Sequence, residues 1–314
     1  MYKNISILQS IDTLSGESIK IFPNEIISSK VLPVVTRLKQ FKKVNINLLD
    51  YNSIVFKRDY ALGDVVMLYP IVSYLRKLGK KVTINTSRNY FIDKVDFFNQ
   101  DISNYLNKFD CILNLNGVLE RDHSEPSLFD VHRLDIYLEY LNLSLDDINW
   151  KLPLTFSENE NKKYVGFQAR GSTFFKGFRN NNVLLNLLET NKILLIDKNT
   201  PNFKHPNLTH KQLKLSELLQ QMSNLKGLIC FDSGLFWLSH VVNIPAFVIV
   251  GPTSGIKITK YHPNNKTIFY DTKEDIGCKT CGESGIRCNR SFKCMINFNE
   301  DRLINNIKKW IETL

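Results

Sequence analysis

The chain has 314 residues, more than one compact core usually holds, so two domains are expected. Apolar residues make up 43% and charged residues 23%, an ordinary globular balance that argues against a disordered chain. Lys and Arg outnumber Asp and Glu by 41 to 31, a formal charge of +10, which favours anionic partners or else serves as scattered solubility charge. No run approaches the roughly 20 apolar residues needed to span a bilayer. Residues Met1 to Lys20 do not read as a secretory signal, so the cytoplasm is the expected location, with a peripheral position at the inner membrane surface compatible.

The first 50 residues are an extension of uncertain character. Ser18 to Phe22 suits an edge strand and Ser29 to Lys39 a short amphipathic helix. A regular alternation then begins: a buried strand at Ser53 to Lys57, a helix at Asp64 to Leu78 and a strand at Lys81 to Asn85. A short helix near Tyr90 to Phe98, a strand at Cys111 to Leu115 and a helix at Arg133 to Leu141 follow. The polar stretch Ser157 to Lys163 reads as a linker. After it come strands at Tyr164 to Gln168, Ile193 to Ile196, Leu228 to Phe231 and Ala246 to Val250. Helices fit at Asn182 to Glu189, Ser216 to Ser223, Leu235 to Val242 and Asn299 to Ile311. Two successive βα alternations describe two doubly wound α/β domains, 1–156 and 157–314, facing a cleft. In such sheets ligands bind beyond the carboxyl ends of the strands.

The polar motifs stand at those positions. Arg58 and Gly63-Asp64 lie where a strand turns into a helix; Asp64 could take a proton from an attacking hydroxyl or simply cap the helix. Asp232-Ser233-Gly234-Leu235 opens another helix, where exposed N–H groups suit a phosphate, with Asp232 orienting the loop. Gly171-Ser172 with Lys176, and the turn Gly251-Pro252-Thr253, offer hydroxyls and a cation to diphosphate oxygens. An ordinary surface loop is the alternative for each.

Cys278, Cys281, Cys288 and Cys294 fall within 17 residues with the spacing Cys-x2-Cys-x6-Cys-x5-Cys. Four thiolates so close suit a structural zinc or, second, an iron ion, with no open position for catalysis. Reduced thiols and disulfides are the alternatives. Cys111 and Cys230 lie in apolar runs and read as core.

In this order the motifs resemble glycosyltransferase family 9, the ADP-heptose:lipopolysaccharide heptosyltransferases. The resemblance runs from about Ser53 to the C-terminus. It implies a GT-B fold, an N-terminal acceptor domain and a C-terminal donor domain. The implied reaction is an inverting displacement from a nucleotide-diphosphate sugar, without a catalytic metal. It makes Asp64 the base and Arg58 an acceptor contact. Gly63, Ser172, Lys176, Asp232, Ser233, Gly234, Leu235 and Thr253 become the donor site. Three departures stand out: Phe178-Arg179 replaces the family's Trp-Pro, Trp237 stands where the family carries His, and Asp197-Lys198-Asn199 replaces a glycine turn. Trp at that place is similar to the heptosyltransferases that modify autotransporter proteins. The expected acceptor is an anionic glycan such as lipopolysaccharide core. A modified DNA base or a protein side chain is the alternative, and a non-catalytic nucleic-acid-binding relic with a cysteine knuckle is a reading of another class.

Overall fold

The computed structural model describes residues 11–12, 18–19, 47–59, 62–86, 97–98, 109–116, 118–119, 128, 130–150, 156, 162–171, 176–197, 202–210, 213–281, 288 and 291–314. The chain divides into two compact units, Met1–Arg121 with Arg133–Asn149, and Asp122–His132 with Trp150–Leu314. Among the described residues no helix is long and apolar enough to cross a membrane.

In the first unit the short strands β1 (Ile11–Asp12) and β2 (Ser18–Ile19) pair antiparallel. The expected helix at Ser29 to Lys39 lies outside the described residues. The main sheet holds β3 (Ser53–Lys57), β4 (Lys81–Asn85), β5 (Phe97–Phe98) and β6 (Cys111–Asn114) in the order β5-β4-β3-β6. Every pairing is parallel. Ile54, Val55 and Phe56 are fully buried, as a parallel strand covered on both faces requires. Phe97 and Phe98, expected to end a helix, instead extend the sheet beside Ile84 and Asn85.

The helix expected at Asp64 to Leu78 is two helices, α1 (Leu62–Val66) and α2 (Tyr69–Lys77). Pro70 explains the break: it has no N–H for the carbonyl of Val66 and its ring crowds that carbonyl, so it is tolerated only in the first turn of a new helix. α3 (Arg133–Leu141) buries Leu134, Ile136, Tyr137 and Leu141.

Among its described residues the second unit carries six parallel strands. They are β7 (Tyr164–Phe167), β8 (Ile193–Leu195), β9 (Leu208–His210), β10 (Leu225–Phe231), β11 (Ala246–Val250) and β12 (Ile268–Asp271), in the order β12-β11-β10-β7-β8-β9. The helices are α4 (Asn182–Leu188), α5 (Leu215–Ser223), α6 (Gly234–Val241), α7 (Gly255–Thr259) and α8 (Glu300–Ile311). α8 shows why such a segment is a helix and where it docks. The side chain of Asn299 caps the N–H of Arg302 at 2.9 Å, acidic residues open the helix and lysines close it, which suits the helix dipole. Its buried face of Leu303, Ile304, Ile307 and Trp310 joins the core; each such burial contributes about 1.5–3 kcal/mol.

A buried aromatic cluster ties the second unit's fold to pH. His240 on α6 donates from Nδ1 to the carbonyl of Phe236 at 3.1 Å, and its Nε2 has no hydrogen-bond partner. Trp237 and His262 lie against it, with ring centroids 5.0 and 4.2 Å away. The hydroxyl of Ser239 bonds the carbonyl of Phe236 at 2.6 Å, so it accepts from Nε2 of His262 at 2.9 Å. Nδ1 of His262 accepts the N–H of Asn264 at 3.1 Å. Both imidazoles are therefore held neutral. Burial pushes His262 down to about 3; burial first, then the neighbouring His262, holds His240 well below the ordinary value.

The sign follows from linkage. Below pH about 6.5 the unfolded histidines bind protons that the folded ones refuse, so their contribution is complete above that pH. It is lost as pH falls towards 3, at about 1.4 kcal/mol per pH unit per histidine. Urea unfolding at pH 7 and pH 5 is therefore expected to show a drop of a few kcal/mol, and His262→Gln to reduce it by roughly half. Equal stability at both pH values would refute this account.

Candidate active site

Among the described residues each of the two parallel sheets has one point where the strand order reverses, and crevices for ligands form at such points. In the first unit it lies between β3 and β6. Directly after β3, Arg58 is fully buried and Asp64, in α1, is nearly so. Nη2 of Arg58 donates to Oδ2 of Asp64 at 2.5 Å, while Nη1 donates to the carbonyl of Leu115, just past β6, at 3.0 Å. Nη1 of Arg133 meets Oδ1 of Asp64 at 2.7 Å. Tyr137, one turn further along α3, reaches the carbonyl of Asp64 at 3.5 Å. Asp64 is thus not a helix cap but a carboxylate gripped at each oxygen by a guanidinium. Such charge-assisted bonds fix its orientation; with about four acceptor sites, a carboxylate can still receive a proton.

Arg58, expected at the acceptor, has no exposed surface and holds Asp64. Gly63, expected at the donor, is buried in α1 beside Asp64. Arg133 went unnoticed in the sequence. The signal was there: a cation in the first turn of a helix opposes the dipole and has to be held by something else. Asp59 and Asn116 also join the ends of β3 and β6. Asp59 donates its N–H to Oδ1 of Asn116 at 2.9 Å, and Nδ2 of Asn116 returns a bond to Oδ2 at 3.0 Å.

In the second unit the order reverses between β7 and β10, and the loops that follow β7, β10 and β11 meet there. Lys176 directs Nζ to the carbonyl of Asp232 at 2.6 Å and to its Oδ2 at 3.4 Å. The hydroxyl of Thr253 donates to the same Oδ2 at 2.9 Å. Gln168, at the end of β7, accepts from the hydroxyl of Ser233 at 2.8 Å and the N–H of Phe231 at 3.3 Å. Lys176, Asp232, Ser233 and Thr253 are therefore brought together at the first turn of α6, with Gly234 and Leu235 in that turn. Ser172 lies outside the described residues.

Local packing shapes these loops. The N–H of Gly171 bonds the carbonyl of Lys176, and a Cβ at Gly171 would stand 2.8 Å from that of Lys176, so only glycine permits the approach. Phe178 anchors the far end by stacking on Phe167 at 5.2 Å and leaning on Phe231 at 5.0 Å. At Gly251 a Cβ would fall 2.1 Å from Sδ of Met295. Gln168 escaped the sequence reading because its partners lie more than 60 residues away.

The four clustered cysteines are thiols, half-buried except for the buried Cys294. The thiols of Cys281 and Cys288 are hydrogen-bonded, and burial first, then Cys288, pushes Cys281 up to about 11. Cys294 is raised by burial, then by Cys278 and Cys288. The donors suit a soft metal, yet among the described residues no group of three or more His, Cys, Asp or Glu has metal-holding geometry. The N–H of Cys281 bonds the carbonyl of Pro252 at 3.2 Å, tying the cysteine loop to the turn that carries Thr253.

No protein-family model and no curated protein sequence matches the chain. Solved structures do share its fold, the mixed α/β architecture of GT-B glycosyltransferases. The iron-containing dodecameric glycosyltransferase TibC from enterotoxigenic E. coli H10407 is similar over 85% of this chain and 78% of its own, at TM-score 0.61 and 14% identity. A family 9 glycosyl transferase from Veillonella parvula DSM 2008 matches over 86% of this chain and 100% of its own, at TM-score 0.57 and 16% identity. The E. coli heptosyltransferase WaaC with ADP matches over 82% and 99%, at TM-score 0.53 and 11% identity.

Proposed function

We propose that this chain is a glycosyltransferase that moves a sugar from a nucleoside-diphosphate donor to an acceptor hydroxyl. The observation that carries the reading is the meeting of Lys176, Asp232 and Thr253 at the start of α6, in a sheet crevice. A cation, a hydroxyl and a helix N-terminus together suit a diphosphate. In the reaction the acceptor oxygen attacks the anomeric carbon and the bond from that carbon to the diphosphate breaks, inverting the centre. Asp64 takes the acceptor's proton, while Arg58 and Arg133 keep its carboxylate in place. Lys176 and the α6 N-terminus offset the charge that grows on the departing diphosphate. Asp232 orients Lys176 and Thr253 rather than touching the phosphate, because a carboxylate would repel it.

The first donor to try is ADP-heptose, since TibC is described in complex with ADP-D-beta-D-heptose and WaaC with ADP. The charge of +10 favours an anionic glycan such as lipopolysaccharide core as acceptor; DNA and protein acceptors are further arms of the same assay. The donor should raise the melting temperature and be slowly hydrolysed by the wild type. Asp64→Asn is expected to bind the donor normally but turn over about 10²–10⁴-fold more slowly, and Lys176→Ala to lose roughly 10²–10³-fold. If no nucleotide sugar binds, while DNA binds with a steep salt dependence, the chain is a nucleic-acid-binding protein and this reading is wrong.

We also infer that Cys278, Cys281, Cys288 and Cys294 close on a zinc or iron ion with a structural role. What supports this is the spacing Cys-x2-Cys-x6-Cys-x5-Cys, which puts four soft sulfur donors within 17 residues. Metal analysis of the purified protein is expected to find about one ion per chain and none after Cys281→Ser with Cys288→Ser. A metal-free wild type of unchanged stability would dismiss the ion.

A further inference from the structure

Lys273 is buried, at 5% exposure, and belongs to no motif in the sequence. Its three N–H bonds have three separate destinations: the carbonyl of Gly251 at 2.6 Å, the carbonyl of Thr253 at 3.0 Å and Oδ2 of Asp271 at 2.9 Å. Oδ1 of Asp271, the last residue of β12, accepts the N–H of Lys273 at 2.9 Å, which fixes the two residues as a unit. Between them the hydroxyl of Thr272 bonds the carbonyl of Val250 at 2.9 Å. Residues 271–273 therefore brace the Gly251-Pro252-Thr253 turn from below.

An ammonium is costly to bury, and an apolar side chain of similar size often serves stability as well. An apolar residue, however, could not hold the carbonyls of Gly251 and Thr253. The bonds lead onward: Thr253 reaches Oδ2 of Asp232, and Asp232 holds Lys176. We propose that Lys273 is a positioning residue of the donor site, setting the Thr253 hydroxyl and, through Asp232, the head of Lys176. The proposal rests on the donor-site reading above and adds to it a residue that never touches the donor.

The test is calorimetric titration with ADP, together with steady-state kinetics on the donor, for the full-length wild type, Lys273→Met and Asp271→Asn. Lys273→Met is expected to weaken ADP about tenfold or more and to raise the KM for the donor by a similar factor, with kcat changing much less. A merely structural loss would instead lower the active fraction, cutting kcat and leaving KM alone. Should Lys273→Met not fold, Asp271→Asn, which loosens the ammonium but leaves the carbonyl bonds, is expected to weaken ADP about threefold or more. ADP affinity within about twofold of wild type, in Lys273→Met if it folds or otherwise in Asp271→Asn, overturns the proposal while the donor site stands. A wild type that binds no ADP overturns the donor site itself, and this proposal with it.

Discussion

Asp232 is the residue on which the second unit's polar site depends. Nearly buried at the carboxyl end of the central strand β10, it receives Lys176 at its carbonyl and carboxylate and Thr253 at its carboxylate. A buried carboxylate without such partners would be several kcal/mol too costly to keep. The demand runs both ways: Asp232 needs the cation and hydroxyl, and they are oriented because Asp232 is anchored in the sheet. Gln168 and Lys273 extend the network to the adjoining strand ends. Two glycines admit the contacts: Gly171 lets its loop fold back on Lys176, and Gly251 makes room for Met295.

The first unit uses the same device with the signs exchanged. There a carboxylate, Asp64, is the group presented, and Arg58 and Arg133 hold it. Each constellation sits where its parallel sheet changes direction, because that is where neighbouring loops diverge and leave polar backbone ends to be satisfied.

The elements legible in the sequence were those with a strong period or a full apolar run. Ala246 to Val250 and Ser53 to Lys57 read as strands, and α8 as an amphipathic helix. The strands that escaped notice carry little apolar signal: Leu208–His210 is only half-buried, and in Ile268–Asp271 only Tyr270 is buried. Phe97 and Phe98 read as helix because two apolar residues in a row cannot reveal their period. Pro70 announced the break between α1 and α2, and the apolar pattern running across it hid the signal. Of the polar residues, those beside a strand end in a short motif were readable. Arg133, Gln168 and Lys273 were not, since each acts on partners at least 20 residues away in sequence.

The central claim is that the start of α6, with Lys176 and Thr253, is a diphosphate site. A crystal structure of the protein with ADP tests it most directly. The account predicts the diphosphate against the first turn of α6, with Nζ of Lys176 and the hydroxyl of Thr253 within hydrogen-bond reach of its oxygens. A nucleotide bound elsewhere, with Lys176 and Thr253 still turned only towards Asp232, would contradict it.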